Sequence, residues 1–177
     1  MHGFMDEIPS FIDFEASSLG SASYPIEVAW SLSDGSIESC LISPAGTSRW
    51  TDWSYKAGQI HGIARAQLLA EGRTPSWVCQ RLNEQLAGRT VYSDAPDYDG
   101  MWLAELFSVC RGDVPGFQLD SVDRLLLDII GPHLPDHTAG PAKLEAFKAE
   151  ARKRVPQQHR AAWDVQFLVE LWRLANG

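Results

Sequence analysis

The sequence predicts an α/β fold: a mixed sheet with an antiparallel edge and helices packed on its faces. Three observations carry that reading. Three strand-like runs open the chain, the last two flanking an Asp-Gly turn signal at 34–35. Two short β-type runs come later, each followed by a segment with helical spacing. The chain then closes on helical segments alone, so the element order is β-β-β-α-α-β-α-β-α-α-α.

The first strand is residues 11–15, Phe-Ile-Asp-Phe-Glu. Residues 24–32 alternate loosely and are rich in β formers, and residues 37–42 follow the Asp-Gly turn, which together read as a hairpin. Residues 46–58 read as irregular and carry Trp50, Trp53 and Tyr55. Helical segments are expected at 64–70 and 75–87, the second opened by Pro75 and stopped by Gly88. Residues 90–93 form a short strand. Apolar side chains at 98, 101, 102, 103, 106, 107 and 109 predict a mostly buried helix over 98–110. A last strand at 117–119 precedes a helix near 122–130. Residues 131–141 hold three prolines and two glycines and read as a loop. Helices at 142–154 and 160–175 complete the chain.

At 177 residues, the chain suits one domain spanning 1–177. Its 45% hydrophobic and 21% charged content is that of a globular protein and excludes wholesale disorder. No apolar run approaches the ~20 residues of a membrane span. The opening MHGFMDEIPS lacks a basic stretch followed by an apolar one, so no secretory leader is expected. Cys40, Cys79 and Cys110 have no metal-binding spacing, and reduced thiols in a cytoplasm are expected. The net charge of −8 argues against a protein that grips duplex nucleic acid by phosphate neutralisation alone. A nucleic-acid enzyme whose site carries bound metal remains compatible with it.

Asp13 and Glu15 lie two apart on the first strand, so both carboxylates project from one face. Two acids held together near a core are costly unless a cation lies between them, and a divalent metal is the simplest such partner. A strand end pointing both acids at water is the alternative, and the pair alone does not decide between the two. A second acidic cluster, Asp94, Asp97 and Asp99, opens the helix after the fourth strand. Capping accounts for at least one of the three. Near the C-terminus, His159 and Asp164 stand five apart. They converge only if His159 precedes the helix that carries Asp164, and Pro156 supports a boundary there.

Taken in order, Asp-x-Glu on the first strand, an Asp opening a helix and His-x4-Asp near the C-terminus resemble the DEDDh 3′–5′ exonucleases. These include the proofreading subunit of the bacterial replicative polymerase, RNase T and oligoribonuclease. The resemblance covers roughly residues 10–172. It implies a ribonuclease H-like fold, with a mixed five-stranded sheet and helices on both faces. The family's D-x-E-T-T-G-L appears here as Asp13-Phe14-Glu15-Ala16-Ser17-Ser18-Leu19, departing at Ala16 and Ser18. Its H-G-I recurs as His61-Gly62-Ile63, with Ala64 in place of the usual Thr. Asp99, three and four residues before Trp102 and Leu103, fits the second motif better than Asp97. Asp94 is a candidate for a supporting role.

The resemblance implies that Asp13, Glu15, Asp99 and Asp164 hold two Mg²⁺ or Mn²⁺ ions ~3.5–4 Å apart. It implies that His159 is the general base, and an imidazole, titrating ordinarily at ~6.5, suits that role. Ala16, Ser17, Leu19 and His61 are then the positions expected to meet the substrate. The expected partners are single-stranded RNA or DNA 3′ ends or short oligonucleotides, with a homodimer left open. The expected activity is metal-dependent hydrolysis from the 3′ end, releasing nucleoside 5′-monophosphates. A non-catalytic nucleic-acid-binding module on the same fold and a polymerase proofreading subunit are the rival readings.

Among other features, Trp30, Trp102, Trp163 and Trp172 read as core or core-rim. Trp50 and Trp53 are the candidates for contact with substrate or a partner chain. Arg152, Lys153 and Arg154 could steer a phosphate chain. His133 and His137, flanking Leu-Pro-Asp, read as surface residues.

Overall fold

Alternation along the first strand, β1 (Ser10–Ala16), sets the architecture. Ile12, Phe14 and Ala16 enter one hydrophobic core, while Phe11 enters another on the opposite face. Asp13 and Glu15 follow Phe11 on its side, as a period of two requires. In this computed structural model, residues 7–134 and 137–177 are described, without the side chain of His137. Residues 1–6 of the opening segment on which the leader expectation rests therefore lie outside the described residues, as do Pro135 and Asp136 between the two histidines.

β2 (Pro25–Ser31) pairs antiparallel with β1, placing Trp30 opposite Ile12 and Glu27 opposite Glu15. β3 (Ile37–Leu41) extends the meander antiparallel to β2. Its turn is closed by Asp34, whose carboxylate accepts from the Ser36 N–H, and by Gly35 at φ 82°. β4 (Thr90–Ser93) joins β1 in parallel, and β5 (Gln118–Ser121) joins β4 in parallel. The order across the sheet is β3-β2-β1-β4-β5.

Among the described residues seven α-helices surround it: α1 (Tyr55–His61), α2 (Arg65–Glu71), α3 (Pro75–Leu86), α4 (Pro96–Ser108), α5 (Val122–Ile130), α6 (Gly140–Arg154) and α7 (Ala161–Asn176). On one face Val78, Leu82 and Leu86 of α3 and Leu103 and Leu106 of α4 pack with Ile12, Phe14 and Val28. On the other, Leu126 of α5, Leu144 of α6 and Val165, Leu168 and Leu171 of α7 pack with Phe11 and Ala29. The expected mixed five-stranded sheet with helices on both faces is therefore the observed one. Among the described residues no helix is long and apolar enough to cross a membrane.

Several local expectations are corrected. Residues 55–58 are not irregular but begin α1, because the Ser54 hydroxyl accepts from the Ala57 N–H and Gly62 closes the helix at φ 69°. α4 starts at Pro96, two residues early, since proline suits a first helical turn. The 131–141 segment contains short 3₁₀ turns, and α6 begins within it at Gly140. Trp50 is core: it is 2% exposed, stacks on Tyr24 at 5.1 Å and donates to Glu105. Trp163, expected in the core or at its rim, is 40% exposed.

Candidate active site

β1 and β4 run parallel, so the chain leaves both at the same edge of the sheet. Asp13 and Glu15 lie at that end of β1. The chain leaving β4 passes Asp94 and enters α4, whose first turn carries an exposed Asp97 and a buried Asp99. The Ser93 hydroxyl donates to Asp99 and also accepts from the Ala95 N–H at 2.9 Å.

The third contribution comes from α7. Arg160 is its N-cap, so His159 lies in the preceding loop and Asp164 in the first turn. His159 has φ 49°, and its Nδ1 lies 3.3 Å from Gln157 Nε2. One cleft of about 390 Å³ is lined by Asp13, Glu15, Asp94, Asp99, His159 and Asp164, with Leu19, Tyr98 and Trp102 adding apolar surface. One oxygen each from Asp13, Asp94 and Asp99 lie within 4.8 Å of one another, and so do those of Asp13, Glu15 and Asp164. Asp13 belongs to both groups.

The crowding has an electrostatic signature. Burial, and then the neighbouring Asp99 and Asp164 charges, push the Asp13 carboxyl well above the ordinary carboxylate range. Burial pushes Glu15 up to about 8, with Asp164 and Glu27 adding to it and Arg160 opposing it. Burial raises Asp99 to about 7 against the pull of its Ser93 hydrogen bond. Asp164 is raised by burial although Arg152 Nη1 stands 3.5 Å away. Ionised together, these groups repel one another, and a bound cation relieves that. All five acids offer hard oxygen donors, the set that suits Mg²⁺ or Mn²⁺.

No family model matches the sequence, and no curated protein sequence matches it. Solved structures do match. Exonuclease I from Methylocaldum szegediense superposes with a TM-score of 0.65 at 18% identity, over 93% of this chain and 40% of that one. E. coli exonuclease I bound to a dA16 oligonucleotide gives 0.66 at 16% identity, over 94% and 40%. The zinc-bound form of the E. coli enzyme with single-stranded DNA gives 0.66 at 15%, over 97% and 40%. The chain has the ribonuclease H-like fold of exonuclease I. It spans about 40% of the length of those exonuclease I chains.

Within this exonuclease I fold, the positions expected to meet substrate separate. Leu19 is 72% exposed and lines the cleft. Ala16 instead packs in the core, and the Ser17 hydroxyl is buried, donating to Asp52 at 2.9 Å and accepting from the Tyr24 N–H at 3.1 Å. His61 is also buried, at the end of α1, where its Nδ1 accepts from the Ile63 N–H at 3.0 Å. Of the three basic residues before His159, Arg152 reaches the cleft, stacked 3.6 Å over Phe167. Lys153 pairs with Glu150, and Arg154 with Glu150 and Glu170.

Sequence reasoning gave Asp94 only a supporting role, and the structure places its carboxylate in the cluster itself. Its signal was its position directly after the strand-ending Ser93. It missed Glu27, whose signal was a lone acid within an apolar β run.

Proposed function

We propose that the chain is a metal-dependent 3′–5′ exonuclease that hydrolyses single-stranded nucleic acid and releases nucleoside 5′-monophosphates. The observation that carries this reading is Asp13, shared between two three-carboxylate groups in one cleft. Asp13, Glu15, Asp99 and Asp164 would hold a pair of Mg²⁺ or Mn²⁺ ions, with Asp94 as a further oxygen donor. Such ions, when bound, supply a water of lowered pKa and stabilise the charge on the leaving 3′ oxygen.

The chain's own side chains do the rest. His159 at the rim takes the proton of the attacking water as general base. Gln157 beside its Nδ1 can turn its amide oxygen there, which leaves Nε2 free to accept that proton. Tyr98 is 46% exposed and tilted on Trp102 with ring centres 5.7 Å apart, a surface on which a terminal base can stack. Leu19 offers that base an apolar contact. The exonuclease I complexes with dA16 and dT13 oligonucleotides support a single-stranded substrate.

Polarity tests the reading. With Mg²⁺, oligonucleotides with a free 3′ end should be shortened stepwise, a 3′-phosphate should slow this strongly, and 5′ blocking should not. Cleavage of a circular single strand would refute exonuclease action.

A further inference from the structure

Strand β2 reads Pro-Ile-Glu-Val-Ala-Trp-Ser, and every residue of it is buried. Glu27 is its one charge, and it stands directly across from Glu15. Like charges opposite each other on neighbouring strands are destabilising. A buried ion pair is often no better for stability than apolar residues of similar volume. Its place in the strand therefore gives no reason for an acid at position 27.

Its partners supply a reason. Glu27 accepts three hydrogen bonds from the Arg160 guanidinium, at 2.7, 3.0 and 3.2 Å. It accepts a fourth from the Ala161 backbone N–H at 3.1 Å. Both donor residues follow His159 directly in the chain. Among the described residues, His159 is the one non-glycine with a positive φ. A side chain in that region is strained and stays there only where its surroundings over-determine it. Glu27 is that restraint on the C-terminal side, and Gln157 lies against the ring. Neither Glu27 nor Arg160 is among the described residues lining the cleft.

We propose that the buried Glu27–Arg160 pair positions His159, holding its backbone in the left-handed conformation that keeps the imidazole at the cleft. The pair acts through His159, so its effect on turnover rests on the nuclease reading above. Glu27→Gln keeps the side chain's volume and removes its charge, and Arg160, 40% exposed, can then turn to solvent.

The test uses the whole chain with Mg²⁺ and a 5′-labelled single-stranded oligonucleotide. In Glu27→Gln, kcat should fall by ~10- to 10²-fold, within what a general base contributes, with KM little changed. In a His159→Ala background the same substitution should add little, because the residue it acts through is gone. Arg160→Lys keeps a positive charge but loses the forked donor, and it should reproduce the effect if Glu27→Gln does not fold.

A second readout needs no activity. By NMR, the φ-sensitive amide coupling and the imidazole signals of His159 should shift in Glu27→Gln, while melting stays close to wild type. Unmoved His159 signals, wild-type kinetics, or an undiminished loss in the His159→Ala background would each overturn the proposal. If the wild-type chain is inactive, the nuclease reading fails, and the NMR comparison alone decides the role of the pair.

Discussion

Asp97 and Asp99 share the first turn of α4, yet only Asp99 is buried and held by the Ser93 hydroxyl. Asp99→Asn is therefore expected to abolish hydrolysis, whereas Asp97→Asn, altering an exposed acid, should leave most of it. Steady-state assays of both variants check this, and an essential Asp97 with a dispensable Asp99 would refute the assignment. His159 lies at the rim and is not needed to gather the carboxylates. His159→Ala should lower kcat by ~10²–10⁴-fold while metal affinity changes little. At this scale the acids were legible in the sequence partly through strand geometry and partly through the family resemblance. Strand parity put Asp13 and Glu15 on one face, whereas Asp99 was preferred to Asp97 through the family resemblance, whose second motif sets its Asp three and four residues before apolar side chains such as Trp102 and Leu103. Ala16, Ser17 and His61 were not legible, because burial and a partner such as Asp52 depend on how distant segments meet.

The helices differ in how their ends are satisfied, and one end is open to improvement. α2 starts after Ala64, which has an extended backbone (φ −90°, ψ 143°) suited to an N-cap and no side-chain acceptor to fill that role. Ala64→Ser should stabilise the protein by about 1 kcal/mol, seen as a higher melting temperature with unchanged activity. No gain would mean that the first-turn N–H groups of α2 are already well solvated. The strands, with their turn signals and apolar alternation, were readable, and so were α3 and α5. α1 was not: seven residues with a glycine inside and aromatic neighbours show little helical period. Its start and stop lay instead in Ser54 and Gly62, where a capping hydroxyl and a left-handed glycine define the helix.

For the molecule as a whole, the acid cluster makes metal-free stability depend on pH in a defined direction. In an unfolded chain these carboxyls titrate at ~4, whereas in the fold Asp99 is pushed up to about 7 and Glu15 to about 8. Between those limits the folded state holds protons that the unfolded chain has released, so stability falls as pH rises. Their contribution is complete below ~4 and is lost as pH rises through about 8. Melting in the presence of a chelator should show this decline, and added Mg²⁺ should restore stability most at the alkaline end. A metal-free protein that grows more stable across that window would contradict the cluster's electrostatics. The central claim, that carboxylates gathered around Asp13 make this chain a metal-dependent exonuclease, is tested most directly by one assay. A 5′-labelled single-stranded oligonucleotide is incubated with the wild-type chain in Mg²⁺, the same chain in EDTA, and Asp13→Asn in Mg²⁺. The account predicts a descending ladder in the first reaction and intact substrate in the other two. Digestion that persists in EDTA, or an Asp13→Asn variant as active as wild type, would contradict it.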